Sequence, residues 1–290
     1  MDALLESDNP NQALVRRVRY IQGEHLVDLI DHLHCDVFNQ DKFLINGVEV
    51  RMRLVRSRDA FCLMEGNSTS KIRILDTSLL IRRAKISPAV LLKHARMLSK
   101  TTTKHPLMRI EVKTFAIHAG VVRESIDNAI FGQLPKRVIV GYVDNKAFNG
   151  DRKLNPFNFK NYSINFFSLY ADGMQIPSRS LQPNFSKDHP LYVEAYNILF
   201  SEIGIHFLNE GNSISREDYA KGFTLFAFDL TPDLSANCAG HWNLVRYGSL
   251  RLEVRFEKVI TSTINCIVYA EFDNVLEIDS SRQIIVDFSG

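Results

Sequence analysis

Two histidines and an aspartate alternate with apolar residues near the start of the chain. His32, His34 and Asp36 are separated by Leu33 and Cys35, so on a β-strand their side chains would share one face. Two imidazoles and a carboxylate form a ligand set that divalent transition metals accept. The sequence offers no second cluster of ligands to place a substrate beside them. We therefore interpret the three residues as the polar face of a strand and predict no metal site.

A second group of titratable residues surrounds one loop. Asp229 and Asp233 flank Leu-Thr-Pro, and His241 follows eight residues later. These groups could exchange protons with a substrate, but an aspartate before Thr-Pro more commonly accepts backbone N–H bonds and shapes a turn. The sequence also contains no Gly-x-Ser-x-Gly, GxGxxG or phosphate-loop motif. We therefore predict no catalytic residue, no cofactor and no small-molecule substrate.

The composition is that of a folded globular protein. Hydrophobic residues make up 45% of the 290 residues and charged residues 23%, and the 19 Phe favour β-structure. The net charge of +2 is too small to indicate direct nucleic-acid binding. Residues 1–145 carry 22 basic against 16 acidic side chains, whereas residues 146–290 carry 13 against 17. The two halves could meet between subunits or could be two solvated surfaces.

Targeting signals are absent from the sequence as given. No apolar run approaches the about 18 residues of a membrane-spanning helix, and the start, MDALLESD, lacks the basic and apolar regions of a signal peptide. The cysteines show no CxxC spacing, which predicts free, mostly buried thiols in a reducing compartment; they are Cys35, Cys62, Cys238 and Cys266. We expect a protein made in the cytosol that neither spans a membrane nor is secreted through a signal peptide.

Period-two alternation predicts strands in the first third of the chain. Residues 48–54 place Val48, Val50, Met52 and Leu54 on one face. Asn46-Gly47 before them predicts a hairpin turn, and residues 71–86 resemble one bent strand or two short ones. Pro88 at a first helical position then predicts a helix over 89–100, with Ser87 as its N-cap.

Eight further strands are predicted after this helix. The clearest, 249–257, turns four apolar residues inward and four charged residues outward, whereas 223–230 is apolar on both faces and suggests a central strand. The eight are 109–118, 121–125, 137–144, 162–171, 223–230, 249–257, 264–272 and 283–288.

The connections between these strands are uneven. Residues 172–176 predict a tight Asp-Gly turn, and 177–222 a long excursion with a helix over 191–203 that Gly204 ends. Eight strands with generous loops favour an all-β jelly roll over an immunoglobulin-like sandwich. The predicted domains are therefore a partial β-domain with a helical linker over 1–104 and a full jelly roll over 105–290.

Four stretches of the sequence resemble one family of shell proteins. They are 36–64 (DVFNQDKFLINGVEVRMRLVRSRDAFCLM), 126–175 (IDNAIFGQLPKRVIVGYVDNKAFNGDRKLNPFNFKNYSINFFSLYADGMQ), 212–233 (NSISREDYAKGFTLFAFDLTPD) and 264–279 (INCIVYAEFDNVLEID). Together they are similar to the major capsid protein of Polinton (Maverick) elements and of related adintovirus-like viruses. The resemblance runs from about residue 15 to the end.

The resemblance implies a double jelly-roll fold. It also implies a homotrimer that forms a pseudo-hexameric capsomer, meets neighbours such as a penton protein, and tiles an icosahedral shell in the virion. The strands after residue 104 would form the second barrel and those before Pro88 the closing part of the first. A complete first barrel needs more strands upstream, so the resemblance predicts a truncated or domesticated copy, a sequence that lacks its start, or a variant with a reduced first barrel.

The loops supply the candidate subunit contacts. These are Phe157, Phe159, Phe185, Phe207 and Trp242, which could equally pin the loops to their own barrel. The alternative function is a jelly-roll module that binds carbohydrate or another ligand without catalysis, and it requires exposed aromatic rings on a sheet face. A cupin-type enzyme would instead require His32, His34 and Asp36 to bind metal.

Overall fold

The chain was studied as a computed structural model, which describes residues 18–20, 23, 26–64, 70–208, 210–238 and 246–286. The strands in this part of the chain are β1 (Thr103–Ile117), β2 (Arg123–Gln133), β3 (Arg137–Asp144), β4 (Ile164–Ala171), β5 (Met174–Leu181), β6 (Leu225–Asp229), β7 (Tyr247–Phe256), β8 (Ile264–Ile278) and β9 (Ile284–Val286). The α-helices are α1 (Asp59–Cys62), α2 (Pro88–Leu98), α3 (Asn145–Phe148), α4 (Val193–Glu202) and α5 (Arg216–Gly222), with 3₁₀ turns at Asp36–Phe38 and Ile205–Leu208.

Two antiparallel sheets share the strands β1 to β8. Sheet A has the order β1-β8-β3-β6, with β9 beside the end of β8, and sheet B has the order β2-β7-β4-β5. Consecutive strands mostly alternate between the two sheets, so that each sheet joins strands distant in sequence. This arrangement of eight strands in two Greek keys is the jelly roll. The predicted all-β jelly-roll class is therefore confirmed by the strand order itself.

Apolar side chains of both sheets fill the space between them. On β7, Leu250, Leu252, Val254 and Phe256 are buried, as their alternation predicts. The ring of Phe167 from sheet B stacks on Phe226 of sheet A with centroids 4.6 Å apart. Stacked aromatic pairs of this kind add to the stabilisation from burial alone, so they hold the two sheets together at the middle of the core.

The hairpin between β4 and β5 contains a strand that the sequence did not reveal. Asp172 and Gly173 both have positive φ, of 50° and 79°, which is the geometry of the tight hairpin turns that Asp-Gly favours. The predicted turn is therefore present, but the chain continues as β5 instead of starting a long excursion. β5 contains Pro177, which is tolerated because β5 lies at the edge of sheet B.

Two predicted strands occupy other places than expected. β6 is an edge strand of sheet A and not a central one; its outward face is nevertheless buried because α4 packs against it. The predicted strand 283–288 corresponds to β9, which pairs with the end of β8 outside the eight-stranded set. The expected helices are found as α2 and α4, and Gly204 ends α4 with a φ of 81°.

The described residues before Thr103 form no strand. Residues 48–54 and 71–86, predicted as strands, lie outside regular structure, although Asn46 and Gly47 form the expected turn. A β-strand exists only when a neighbouring strand satisfies its backbone N–H and C=O groups. Within a single chain these alternating segments have no such neighbour among the described residues, so their apolar side chains remain exposed.

Candidate contact surfaces

The outer face of sheet B carries two arginine–aromatic stacks. The guanidinium carbon of Arg255 lies 4.4 Å from the centroid of the Phe166 ring, and that of Arg251 lies 4.3 Å from the centroid of Tyr170. Arginines over aromatic faces are held by cation–π attraction. The rings of Phe166 and Tyr170 are therefore covered by the chain's own side chains, whereas Phe131 and Tyr247 of the same sheet stay exposed.

A buried carboxylate holds one of these stacks in place. Glu253 lies between the arginines on β7 with its side chain only 6% exposed, 2.9 Å from Arg255 and 3.0 Å from Arg123. Two guanidinium groups compensate its desolvation. A charge network thus occupies the part of this face around Glu253.

The outer face of sheet A is only partly covered. Strand register places Val112 on β1 beside Tyr269 on β8, Ile139 on β3 and Ala227 on β6. Ala227 is buried in the region where α4 packs against β6, whereas Val112 at the other end of the row is 60% exposed. The half of this face that lies over β1 and β8 is therefore an open apolar strip.

A buried ion pair borders this strip. Arg137 Nη1 lies 3.2 Å from Glu271 Oε2, and the guanidinium also donates a hydrogen bond to Asn237. Burial, reinforced by the charge of Glu271, raises the pKa of the nearby Tyr269 to about 12. The phenol is therefore neutral throughout the physiological pH range.

Glu202 links α4 to sheet A. Its carboxylate accepts a hydrogen bond of 2.7 Å from the backbone N–H of Asp229. Burial is the main reason that the pKa of Glu202 is raised; the hydrogen bond opposes the shift and the charge of Asp229 adds to it. The carboxylate therefore holds α4 against sheet A, but ionising this buried carboxylate costs electrostatic free energy.

Asp229 shapes the loop that follows β6. Its carboxylate accepts hydrogen bonds from the backbone and hydroxyl of Thr231, at 2.9 and 2.6 Å, and from the backbone of Ala236 at 2.9 Å. This is the turn-shaping role that the sequence favoured over acid–base chemistry. His241 lies outside the described residues.

The alternating polar residues near the start do not converge. His32 and His34 are exposed, and Nε2 of His34 lies 3.9 Å from Asp31 Oδ1. Asp36 instead belongs to a 3₁₀ turn and accepts the backbone N–H of Met108 at 2.8 Å. The three residues do not share a strand face, because no strand forms here. Within the described ranges, no group of three or more His, Cys, Asp or Glu side chains could hold a metal ion.

The five predicted contact residues fall into different settings. The ring of Phe185 stacks on Tyr192 with centroids 5.2 Å apart and packs on the core. Phe159 pairs with Phe223 in an isolated bridge. Phe157 is 52% exposed and contacts only the edge of Phe61 among the aromatic rings described. The side chain of Phe207 and all of Trp242 lie outside the described residues.

Exposed apolar side chains concentrate in the part of the chain before β1. After Thr103 the exposed apolar side chains are scattered, whereas in residues 26–97 they lie close together in the sequence. The surface of a monomeric protein rarely exposes so many apolar side chains together. The set includes Leu29, Ile30, Phe43, Leu54, Val55, Ile74, Leu75, Leu80, Ile81 and Met97. This part of the chain therefore offers apolar surface to a partner.

A shallow cleft lies where β4 begins and β5 ends. Its volume is about 310 Å³, and amide groups dominate the lining formed by Ser163, Ile164, Asn165, Gln182, Pro183, Asn184, Phe185 and Glu257. Asn184 is already committed, because its side-chain oxygen accepts the backbone N–H of Ser186. Phe185 likewise stacks inward on Tyr192, so the cleft presents no free aromatic platform.

The cysteines differ from the expectation in their burial. None of the four forms a disulfide bond, as predicted, but Cys35, Cys62 and Cys238 are exposed and only Cys266 is buried. The exposed cysteines lie in segments outside the sandwich, where alternation alone could not tell the covered face. Separately, no helix among the described residues is long and apolar enough to cross a membrane.

No family model matches the chain. An uncharacterized protein of Caenorhabditis elegans is 27% identical over 273 residues, which cover 91% of this chain and 64% of that protein. The chain thus spans less than two thirds of the relative that it matches.

Solved structures with a similar arrangement come from viruses. The Sputnik virophage structure is 10% identical with a TM-score of 0.41, and the match covers 65% of this chain and 39% of that one. The PBCV-1 virus capsid is 9% identical with a TM-score of 0.40, covering 69% and 55%. The mavirus major capsid protein is 8% identical with a TM-score of 0.32, covering 65% and 42%.

Proposed function

We propose that this chain is a non-catalytic structural protein of a capsid-type shell. The observation that carries the proposal is the combination of a complete jelly roll with a long segment, 26–97, whose apolar side chains are largely exposed and which has no partner strands within the described chain. A rigid sandwich supplies shape, and the exposed segment supplies surface for association. The resemblance of four long stretches to Polinton-type major capsid proteins supports the same function.

The proposed domains are a partial first barrel with its helical linker over 1–104 and the second barrel over 105–290. Residues 48–54 and 71–86 alternate as strands do, and they would pair once neighbouring strands were supplied. Antiparallel strands with one apolar face need such partners to become stable. The observed jelly roll, from β1 to β8, would then be the second barrel.

The proposed assembly is a homotrimer that forms a pseudo-hexameric capsomer. Two barrels in each of three chains would give six-sided units, which tile an icosahedral shell and meet a penton protein at its vertices. The protein would be made in the cytosol and reside in the virion or in a virus-like particle of a transposon. Its small net charge supports contacts with other protein surfaces over direct binding of nucleic acid.

The proposed subunit contacts are the exposed members of the predicted set. Phe157 has an exposed ring, and Phe207 and Trp242 remain candidates on sequence grounds. Phe159 and Phe185 are better explained as anchors of their own loops, because one bridges to Phe223 and the other stacks on Tyr192. The open strip around Val112 is a further apolar surface available to a neighbour.

Negative-stain electron microscopy of the purified chain tests the proposal. Class averages with three-fold symmetry, or closed shells, are the expected result. Phe157→Ala should reduce the fraction of such particles, and the matched variant Lys153→Ala, an exposed polar change in the same loop, should not. Uniform single particles of one chain at high concentration would contradict the proposed assembly.

A further inference from the structure

One histidine near the start of β1 is buried without a hydrogen-bond partner among the described residues. His105 is 2% exposed, and neither of its ring nitrogens hydrogen-bonds to any of these residues. A neutral imidazole tolerates this setting at some cost, because one N–H and one lone pair are left unsatisfied. A charged imidazolium would lose far more, because an uncompensated buried charge is strongly disfavoured.

The residues around His105 join β1 to the segment 36–42. Gln40 donates a hydrogen bond of 2.8 Å to the backbone carbonyl of Pro106. The backbone N–H of Met108 donates one of 2.8 Å to the Asp36 carboxylate. These two bonds fasten the segment to β1 one residue and three residues beyond His105, so the histidine lies beside the place where the segment docks.

The charged groups near His105 do not favour its protonation. From the docked segment, the charge of Lys42 acts on the imidazole, and the Asp36 carboxylate is occupied by Met108 and Gln40. From β1 and β8, Lys104 lies 3.0 Å from Glu277, whose carboxylate also accepts a hydrogen bond from Thr102. Among the described residues, no carboxylate pairs with His105.

We propose that His105 is a proton-operated latch that controls the docking of residues 36–42 on β1. When the imidazole is neutral, it fits beneath the segment beside Lys42. When it gains a proton, its charge is opposed by that of Lys42 and is paired with no carboxylate among the described residues, and the segment is released. Release would free the chain before β1, which carries the exposed apolar surface. The latch itself is a property of the single chain and does not rest on shell formation.

The direction of the pH effect follows from the burial. Desolvation, and then the charge of Lys42, lowers the pKa of His105 from its ordinary value of 6.5. The docked segment therefore holds full stability above the ordinary value and loses it as the pH falls through the lowered pKa. Each unit by which docking lowers the pKa corresponds to about a tenfold weakening of docking at low pH.

Hydrogen exchange at the Met108 amide measures the docking of residues 36–42 directly. This amide is protected by Asp36 of the docked segment, so its exchange rate, divided by the intrinsic rate at each pH, reports the undocked fraction. Between pH 7.5 and 5.0, above the ordinary range of aspartate titration, the corrected rate should rise several-fold. The amide of Leu252, at the centre of sheet B, serves as an internal control and should not change.

Two variants separate the latch from other acid effects. His105→Leu removes the titrating group and should leave the Met108 rate independent of pH over the same range. Lys42→Met removes the opposing charge and should reduce the rise without abolishing it. A wild-type rate that stays constant, or an equal rise in His105→Leu, would overturn the proposal. Because these rates are measured on the single chain, failure to form particles would not affect the result.

Discussion

The guanidinium of Arg137 on β3 lies 3.2 Å from the carboxylate of Glu271 on β8, and both side chains are at least nine-tenths buried. Register places these residues directly opposite each other in the middle of sheet A. A pair this well covered is not a solvated salt bridge. It fixes the alignment of two central strands at the border of the open strip.

Breaking this pair should be costly, whereas replacing both partners should not. Glu271→Leu leaves the Arg137 charge buried and unpaired, which we expect to lower the free energy of unfolding by about 3–5 kcal/mol. The double variant Arg137→Met/Glu271→Leu should recover most of that loss, because no buried charge remains. Urea unfolding of the three variants, Arg137→Met included, completes the cycle. A loss below about 1 kcal/mol in Glu271→Leu would show that the pair is solvated in solution.

Two aromatic loop residues should respond differently to truncation. Phe185→Ala removes a ring stacked on Tyr192 and packed on the core, so it should cost about 2 kcal/mol of stability. Phe157→Ala removes a half-exposed ring and should cost less than about 1 kcal/mol while weakening association. Thermal unfolding and sizing chromatography measure the two effects. Equal losses of stability would remove Phe157 from the proposed contacts.

The thiols should divide into two classes. Burial raises the pKa of Cys266 to about 12. This thiol should stay protonated and unreactive in the native protein at pH 8. Cys35, Cys62 and Cys238 are exposed and should react with a disulfide reagent at once. Titration should therefore give three fast thiols and a fourth only in denaturant; prompt reaction of all four would mean that the inner face of β8 is open.

Glu202 should make stability depend on pH in a recognisable direction. Its pKa is raised in the folded chain, mainly by burial, so the neutral form is favoured by folding. That contribution is complete below the ordinary glutamate value and is lost as the pH rises through the raised pKa. Glu202→Gln should therefore gain stability relative to the wild type between about pH 4.5 and 8.

Thermal melts across this range test the Glu202 prediction. Glu257→Gln, a change at an exposed carboxylate, provides the matched control and should run parallel to the wild type. If Glu202→Gln instead loses stability relative to the wild type as the pH rises, the assignment is contradicted. That result would mean that folding favours the ionised carboxylate.

The alternation of apolar and polar residues predicted most strands of the jelly roll. It failed where the formation of a strand depends on a neighbouring strand. β7 was predicted closely because its inner and outer residues differ sharply in polarity. β5 was missed because an edge strand tolerates Pro177 and polar residues on both faces. Residues 48–54 alternate equally well but form no strand, since a strand requires a neighbour that the described chain does not provide.

The contact residues were less accessible to sequence reasoning. The spacing of Phe159 and Phe185 in loops cannot distinguish a ring that packs on its own core from one that meets a neighbour. His105 gave no signal at all, because an isolated histidine at the start of a strand is common and nothing in the sequence places the segment 36–42 beside it. The sequence predicted the arginines of β7 only as part of a charged outer face. Their stacking on aromatic rings of β4 depends on the register between the two strands.

The molar mass of the purified chain in solution, by light scattering behind a sizing column, tests the proposed function most directly. For a self-assembling shell protein we expect a species near three times 33.2 kDa, or larger particles, at micromolar concentration and neutral pH. A folded species that remains at 33.2 kDa over a hundredfold range of concentration would contradict a self-assembling shell protein.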